Sequence, residues 1–222
     1  MTITYHADLF QGSEEWLAAR CGMLTASEMN LIVTPTLKPA SNDKERSHLY
    51  ELLAQRITGY VEPRYISDDM LRGMDEEITA IDLYAKEYAK VTRVGFITND
   101  KWGLTMGYSP DAIVAHDGLV ECKSRRQKYQ IQTIVDGVVP PEYMIQIQTG
   151  LLVTERSWLD FISYSGGLPM FVLRCYPLPE YQDAIIKAAT AFEERLAEKL
   201  ETYKQASKDY IPTERKIIQE IY

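Results

Sequence analysis

Two acidic residues and one lysine near the middle of the chain have a spacing that suits metal-assisted chemistry. Asp111 follows a Ser-Pro pair, and Glu121 and Lys123 flank a single residue in an apolar stretch. In an extended strand alternate side chains share one face, so Glu121 and Lys123 would project to the same side about 7 Å apart. A hairpin that turns at Asp117-Gly118 would bring Asp111 back beside them.

This set of groups matches the requirements of phosphodiester hydrolysis. Mg²⁺ typically binds one or two carboxylates together with waters and phosphate oxygens of the substrate. The lysine could then hold or deprotonate the attacking water while the metal ion stabilises charge on the phosphate. The residues alone leave a simpler alternative open, a surface hairpin with a cross-strand ion pair. A second acid-x-Lys triplet, Glu214-Arg215-Lys216, lies in a charged tail and is interpreted as a solvated charge cluster.

Further polar side chains could serve the same site. Glu77 lies one helical turn after Gly73 and one before Ala80, which places a carboxylate in a groove of small residues. Gln146 and Gln148 carry amides on another predicted helix, where they could reach phosphate oxygens or metal-bound water. A solvent-facing glutamate and amides satisfied within the core are the alternatives that these residues leave open.

A phosphate pocket is predicted near the N-terminus. Arg20 ends a short predicted helix, and Thr25 and Ser27 begin the next one. A guanidinium, hydroxyls and free backbone N–H groups together make a suitable phosphate-binding set. An exposed arginine beside an ordinary helix cap is the alternative.

The elements that must position these residues follow an α/β pattern. Helices are predicted over 14–20, from Thr25, and over 44–57, 68–90, 141–153 and 179–208; strands are predicted within 93–123 and at 157–164 and 170–176. The helix over 68–90 is expected to turn one apolar stripe toward a core: Leu71, Met74, Ile78, Ile81, Ala85 and Tyr88. The order of elements predicts an α/β (α+β) fold with one mixed sheet clad by helices. No Pro-, Gly- or Ser-rich linker divides the 222 residues, so a single domain over 1–222 is predicted.

The composition argues against several classes of protein. The chain has no apolar run of about 18 residues and no secretory signal, which predicts a cytoplasmic protein without a membrane span. Its three cysteines lack Cys-x-x-Cys or Cys/His spacing, which argues against a disulfide framework and a zinc site. The net charge of −8 argues against a nucleic-acid partner. Residues 121–132 are locally basic, however, with Lys123, Arg125, Arg126 and Lys128 against Glu121 alone, and this stretch is a candidate DNA contact.

As an ordered set, the motifs resemble the phage lambda exonuclease family, also called YqaJ-type viral recombinases, of the PD-(D/E)xK nuclease superfamily. The resemblance covers residues 11–150 and rests on the following motifs: Gln11-x4-Trp16-x3-Arg20-x-Gly22-x2-Thr25-Ala26-Ser27, Gly73-x3-Glu77-x2-Ala80, Ser109-Pro110-Asp111, Glu121-Cys122-Lys123 and Gln146-x-Gln148. It implies a restriction-endonuclease-like core, in which a central mixed β-sheet is flanked by helices.

The resemblance also implies an activity. It predicts a Mg²⁺-dependent exonuclease, with one or two metal ions and Mn²⁺ able to substitute. Such an enzyme digests the 5′-ended strand of linear double-stranded DNA to mononucleotides and leaves a 3′ overhang. Family members are ring-shaped homotrimers that pass the exposed strand to a single-strand annealing protein. The alternatives are a structure-specific or helicase-associated endonuclease of the same superfamily, and a DNA-end clamp without catalysis.

The roles implied by position divide between hydrolysis and end binding. For hydrolysis, the resemblance implies that Asp111 and Glu121 are metal ligands and that the Cys122 backbone carbonyl also contacts the metal. It implies that Lys123 activates the water. Glu77 would add a carboxylate at the metal, and Gln146 would position the water or the scissile phosphate. The 5′-phosphate is assigned to a guanidinium and three hydroxyls: Arg20, Thr25, Ser27 and Ser109. Trp16 matches a family tryptophan and is expected to pack at the base of that pocket.

Overall fold

A computed structural model describes residues 2–63 and 67–215 of the chain. The helices within these ranges are α1 (Glu14–Arg20), α2 (Asp43–Thr58), α3 (Asp68–Glu87), α4 (Gln127–Asp136), α5 (Pro141–Thr154) and α6 (Pro179–Ala206), with a 3₁₀ helix over Ala26–Leu31. The strands are β1 (Ile3–His6), β2 (Leu24–Thr25), β3 (Val91–Thr92), β4 (Phe96–Asn99), β5 (Met106–Tyr108), β6 (Ala112–Val114), β7 (Gly118–Ser124), β8 (Trp158–Tyr164) and β9 (Phe171–Cys175). The helices predicted over 14–20, 44–57, 68–90, 141–153 and 179–208 are confirmed, and the helix predicted from Thr25 is the short 3₁₀ helix.

Polar caps explain where several helices begin. Oγ of Ser13 accepts the N–H of Trp16 at 3.2 Å, and Oδ1 of Asn42 accepts two N–H groups of the first turn of α2 at 3.0 Å. These bonds satisfy donors that the first turn of a helix leaves unpaired. At α5, Pro141 occupies a first-turn position, where its missing N–H costs nothing. Local chemistry therefore determines where α1, α2 and α5 start.

The strands form two mixed sheets flanked by helices. The five-stranded sheet has the order β3-β6-β7-β8-β9, and the four-stranded sheet has the order β1-β4-β5-β2. Only the pairs β7–β8 and β2–β5 are parallel. The α/β class with mixed sheets is confirmed, but the expectation of a single sheet is wrong. The chain leaves the four-stranded sheet after β5 at Ser109-Pro110, and Pro110 has no N–H with which to continue a ladder.

The five-stranded sheet has an apolar cluster on each face. On one face, α3 packs its buried residues against alternate residues of three strands: Ala80, Ile81, Tyr84, Ala112, Val120, Cys122 and Ile162. On the other face, Leu119, Leu159 and Phe161 join the main cluster, to which α2, α5 and α6 contribute. Because side chains alternate along β7, Glu121 shares the face of Leu119, toward α5.

The apolar stripe predicted for α3 is largely wrong. Four of its six members are about half exposed or more: Leu71 (50%), Met74 (51%), Ile78 (48%) and Tyr88 (57%). The helix instead faces the sheet with the line that includes Gly73, Ala80 and Tyr84. A Cβ at Gly73 would lie 4.0 Å from Cβ of Ser124. Small residues thus allow α3 to approach the end of β7 closely, and helical periodicity alone does not show which of two faces does so.

Two predictions from composition can be compared with the structure. Among the described residues, no helix combines the length and the apolar character needed to cross a bilayer. Cys21, Cys122 and Cys175 are free cysteines in the described part of the chain.

Candidate active site

The hairpin predicted around the acidic residues is confirmed, but its turn spans residues 115–117, and Gly118 is already paired with Val114 at the start of β7. β6 and β7 pair antiparallel, with Ala112 opposite Val120. This register brings Asp111, which precedes β6, against β7, where its Oδ2 accepts the N–H of Cys122 at 2.6 Å. Asp111 therefore lies beside the strand that carries Glu121 and Lys123.

Glu121 is the centre of the hydrogen-bond network. Its side chain is only 2% exposed. Its Oε1 accepts Nζ of Lys123 at 2.7 Å and Nε2 of Gln146 at 2.5 Å. Its Oε2 accepts the hydroxyl of Tyr108 at 2.6 Å. Donors from two strands and from α5 thus hold this carboxylate in one orientation, which is how catalytic groups are kept in place for reaction.

Three carboxylates converge on this point. Burial, followed by the charges of Glu121 and Glu77, raises the pKa of Asp111 well above its ordinary value. Burial and the charge of Glu121 likewise raise the pKa of Glu77, against the opposing effect of Lys123 and Arg93. Mutual repulsion among carboxylate oxygens is relieved by a divalent cation, and hard oxygen donors are those that Mg²⁺ prefers. The donor set therefore fits Mg²⁺.

Lys123 and Cys122, which follow Glu121 along β7, both keep their protons at neutral pH. Burial lowers the pKa of Lys123, but Glu121 and Asp111 outweigh it and raise that pKa above its usual range, so the ammonium is retained at neutral pH. The Cys122 side chain points into the apolar cluster on the opposite face. Burial and the nearby carboxylates raise the pKa of its thiol, which therefore stays protonated. The contact of Cys122 with the acidic group is made by its backbone N–H, which donates to Asp111.

The residues predicted to form a phosphate pocket lie together. The Arg20 guanidinium donates to Oγ of Ser109 at 3.4 Å, to Oγ1 of Thr25 at 3.2 Å and to Oγ of Ser27 at 3.4 Å. It lies 4.1 Å from the centre of the Trp16 ring, a cation–π distance. Trp16 Nε1 also donates to Ser109 Oγ at 2.9 Å, so this residue orients a hydroxyl in addition to packing.

One short segment, Tyr108–Asp111, links the two groups of residues. Tyr108 binds Glu121, whereas Ser109 binds Trp16 and Arg20. The Pro110 carbonyl accepts Nε2 of Gln11 at 3.0 Å, and Asp111 then returns to β7. Consecutive residues thus connect the acidic cluster and the phosphate pocket within a single stretch of backbone.

The basic residues that follow β7 differ in the exposure of their side chains. Arg125 is 8% exposed, and its Nη1 donates to Glu142 at 3.0 Å and to the Tyr143 hydroxyl at 2.7 Å. Arg126 and Lys128 are exposed. A cleft of about 360 Å³ adjoins them, lined by Met70, Arg72, Ser124, Arg125, Arg126, Tyr129, Glu142 and Tyr143. Of the three residues predicted to contact DNA from this stretch, Arg126 and Lys128 have exposed side chains.

No role was predicted from the sequence for Tyr108 or for a second set of polar residues around His48. Tyr108 stands in a short apolar strand and is typical of a core residue, so only its neighbour Ser109-Pro110-Asp111 hints at the site. The second group has one ligand atom each from Glu28, His48 and Glu51 within 4.8 Å of one another. Glu28 also accepts the Thr25 hydroxyl at 3.0 Å, which joins this group to the phosphate pocket.

Comparisons with known proteins identify a family and similar solved structures. The model of the YqaJ-like viral recombinase domain family matches residues 15–157. The structure resembles that of an alkaline exonuclease, LHK-Exo, from Laribacter hongkongensis, with 32% identity, a TM-score of 0.79, and coverage of 90% of this chain and 100% of that one. The complex of LHK-Exo with dAMP gives a TM-score of 0.80 at the same identity and coverage.

A more distant structure shares the fold. A phage-related exonuclease from Haemophilus somnus 129PT is 14% identical with a TM-score of 0.55, and the match covers 80% of this chain and 96% of that one. No protein of curated function matches the chain. The likenesses therefore rest on the family model and on solved structures.

Proposed function

Because the chain belongs to the family of YqaJ-like viral recombinase domains, we propose that it is a Mg²⁺-dependent exonuclease that digests the 5′-ended strand of linear double-stranded DNA. The family and the resemblance to an alkaline exonuclease support a nuclease role. The preference for 5′ ends and for duplex DNA, and the identity of the metal, are our proposals.

The observation that carries the proposal is the shared segment Tyr108–Asp111. A phosphate pocket around Arg20 and a hydrolytic cluster around Glu121 are joined by adjacent residues of this segment. An enzyme that binds a terminal phosphate and cuts a neighbouring phosphodiester needs these two sites at a fixed separation. An endonuclease does not need a terminal-phosphate pocket, so the arrangement favours an end-directed enzyme.

The residues that would hold Mg²⁺ are Asp111, Glu121, the Cys122 carbonyl and Glu77. When bound, the metal ion supplies charge neutralisation at the phosphate and activation of a water molecule. Glu121 is fixed by its three donors, so it can orient such an ion without changing rotamer.

Lys123 and Gln146 would act on the attacking water. Both donate to Oε1 of Glu121, and both are therefore directed to the same point of the site. Because Lys123 carries its proton at neutral pH, we propose that its ammonium holds the water oxygen by an N–H donor. Gln146 would orient the water or the scissile phosphate through its amide.

The remaining parts of the proposal come from the family resemblance. We propose that a single domain over residues 1–222 assembles as a homotrimeric ring around DNA. The ring would release mononucleotides, leave a 3′ overhang and pass it to a single-strand annealing protein in the cytoplasm. A ring retains DNA by topology, which removes the need for a strongly basic surface and accommodates a net charge of −8.

The test uses three DNA substrates of equal sequence: a linear duplex with 5′-phosphate ends, the same duplex with 5′-hydroxyl ends, and a closed circle. Each is incubated with Mg²⁺ or with EDTA, and release of labelled mononucleotide is followed from each strand. We expect Mg²⁺-dependent release that begins at the 5′ end, is fastest from phosphorylated ends and is absent from the circle.

The other outcomes identify the alternatives. Equal cutting of circles and linear duplexes would indicate an endonuclease. Binding of duplex ends without Mg²⁺-dependent release would indicate a DNA-end clamp. Either result would overturn the proposed exonuclease.

A further inference from the structure

Arg20 is the last residue of α1, and the loop that follows it, Cys21-Gly22, is held by helix α2. The N–H of Gly22 donates to Oε1 of Gln55 at 2.8 Å, and the Gly22 carbonyl accepts Nε of Arg56 at 2.7 Å. The Cys21 thiol donates to the Gln55 carbonyl at 3.4 Å. Both polar groups of the Gly22 backbone are thus held by two successive residues of α2.

Gly22 is required at this position for two reasons. Its φ of +68° lies in the left-handed region, which glycine adopts without a Cβ clash. A Cβ there would also lie 2.5 Å from Cγ of Arg56, too close for real atoms. The loop therefore packs directly on the Arg56 side chain.

Helix α6 fixes the orientation of Arg56. Its Nη1 and Nη2 donate to the two carboxylate oxygens of Glu193 at 2.7 and 2.6 Å. A bidentate guanidinium–carboxylate pair sets the plane of the guanidinium. Because Nε lies in the same plane, Glu193 determines the direction in which Arg56 donates to Gly22.

Arg20 is sensitive to a displacement of this loop. It lies two residues before Gly22, and its hydrogen bonds to the pocket hydroxyls are 3.2 to 3.4 Å long. These distances are at the long end of the range for hydrogen bonds, so a displacement of the Arg20 backbone would weaken them. An error of about 1 Å in the placement of a binding group can reduce enzyme activity about 100-fold.

We propose that Arg56, oriented by Glu193, is a positioning residue that places Arg20 and thereby determines the preference for 5′-phosphorylated DNA ends. Arg56 acts through the Gly22 backbone and does not itself touch the phosphate. This inference rests on the proposed function, because it assumes that the Arg20 pocket binds the terminal phosphate.

The test compares Arg56→Ala with Arg195→Ala in the full-length protein. Arg195 Nη2 donates to Oε1 of Glu45 at 2.7 Å, so this ion pair also joins α6 to α2 but does not contact the loop. For each variant, kcat and KM are measured on linear duplexes with 5′-phosphate and 5′-hydroxyl ends, and thermal unfolding is recorded. The readout is the ratio of kcat/KM for the two ends.

We expect Arg56→Ala to lower the phosphate preference about tenfold, mainly by raising KM for phosphorylated ends, as a modest misplacement of Arg20 predicts. Cutting of hydroxyl ends should change little. Arg195→Ala should keep the wild-type ratio. Glu193→Gln should lower the ratio less than Arg56→Ala does. If Arg56→Ala does not fold, Glu193→Gln tests the same positioning role.

Arg20→Ala in the same assay separates two kinds of failure. If Arg20→Ala removes the preference while Arg56→Ala and Glu193→Gln retain it, the positioning role is wrong and the phosphate pocket stands. If Arg20→Ala itself retains the preference, the phosphate pocket is wrong, and the inference fails with it.

Discussion

The acidic cluster and the phosphate pocket share the segment Tyr108–Asp111 but are built in opposite ways. In the cluster, hydrogen bonds of 2.5 to 2.7 Å join a buried carboxylate to buried and partly buried donors, and Glu121 accepts all three. In the pocket, Arg20 makes contacts of 3.2 to 3.4 Å to hydroxyls, and its loop is held by α2 from outside.

The difference indicates a division of labour between the two regions. Short bonds among buried charges preorganise a site, and groups of that kind act on the chemical step. Longer contacts around a guanidinium leave it able to exchange protein hydroxyls for phosphate oxygens, and such a group acts on binding and on the choice of substrate. Variants of the cluster should therefore change kcat, whereas variants of the pocket should change KM and end preference.

The largest effect is expected for Lys123→Ala. General acid–base or water-orienting groups contribute about 10² to 10⁴ in rate, so we expect kcat to fall about 1,000-fold. Binding of 5′-phosphorylated duplex, measured in EDTA, should persist because the phosphate pocket is intact. Lys101→Ala, which removes an exposed lysine paired with Glu155, is the control. If Lys123→Ala bound less DNA but cut the bound DNA at the wild-type rate, the contrast between the acidic cluster and the phosphate pocket would be contradicted.

Arg20→Ala should have the next largest effect, on a different quantity. Hydrogen bonds to charged groups contribute about 1.5 to 3 kcal/mol, so we expect a 10- to 100-fold fall in kcat/KM on 5′-phosphorylated ends. Hydroxyl ends should be cut almost as before. Arg46→Ala removes an exposed arginine of α2 that pairs with Asp43, and it should leave both rates unchanged. Equal loss on both kinds of end would assign Arg20 a structural role.

Tyr108→Phe tests whether the cluster depends on its buried donor. Removing one hydroxyl leaves Glu121 Oε2 without its partner, and we expect about a tenfold fall in kcat and a higher Mg²⁺ requirement. The control is Tyr84→Phe. Tyr84 donates to Oδ2 of buried Asp160 at 2.6 Å, a matching pair in the cluster beneath α3. Both variants should lose stability, but only Tyr108→Phe should lose activity; equal activities would contradict the role of Tyr108.

The parts of the fold that are predictable from sequence have strong local signals. Ser13 and Pro141 mark helix starts, and the aromatic and branched apolar residues of β8 and β9 mark strands. Helix α4 is different. Its buried face carries the polar residues Gln130 and Thr133, whereas Ile131 is 51% exposed. Hydrophobic periodicity fails there because Gln130 is satisfied by the carbonyls of Ser163 and Pro169, distant in sequence.

The candidate site divides in the same way. The carboxylates, the lysine and the hairpin that joins them are predictable, because alternation along a strand and the antiparallel pairing of β6 with β7 determine their positions. The supporting residues are not. Tyr108 and Arg56 act through contacts with Glu121 and Gly22, and such contacts exist only after strands and helices distant in sequence have packed. Sequence patterns thus identify groups that do chemistry more readily than groups that hold them.

The smallest expected effect is on the free energy of unfolding of the metal-free protein. Its pH dependence should come from the carboxyls of the acidic cluster and not from the phosphate pocket. The pKa values of Asp111 and Glu77 are raised in the folded protein from ordinary values of 3.8 and 4.5. In the pH range between the ordinary and raised values, the folded state binds more protons than the unfolded state. By linkage, the free energy of unfolding therefore falls as the pH rises through that range.

In EDTA, the midpoint of urea unfolding should accordingly decrease as the pH rises above the ordinary pKa values of these two carboxyls. Asp111→Asn should flatten this decrease because it removes one of the repelling carboxyls, and Mg²⁺ should flatten it by binding the ionised forms. Arg20→Ala should leave the slope unchanged, since the phosphate pocket holds none of these acids. A wild-type midpoint that rises with pH in EDTA would contradict repulsion among the carboxylates, and the contrast between a cluster of repelling charges and a pocket without these acids would fail.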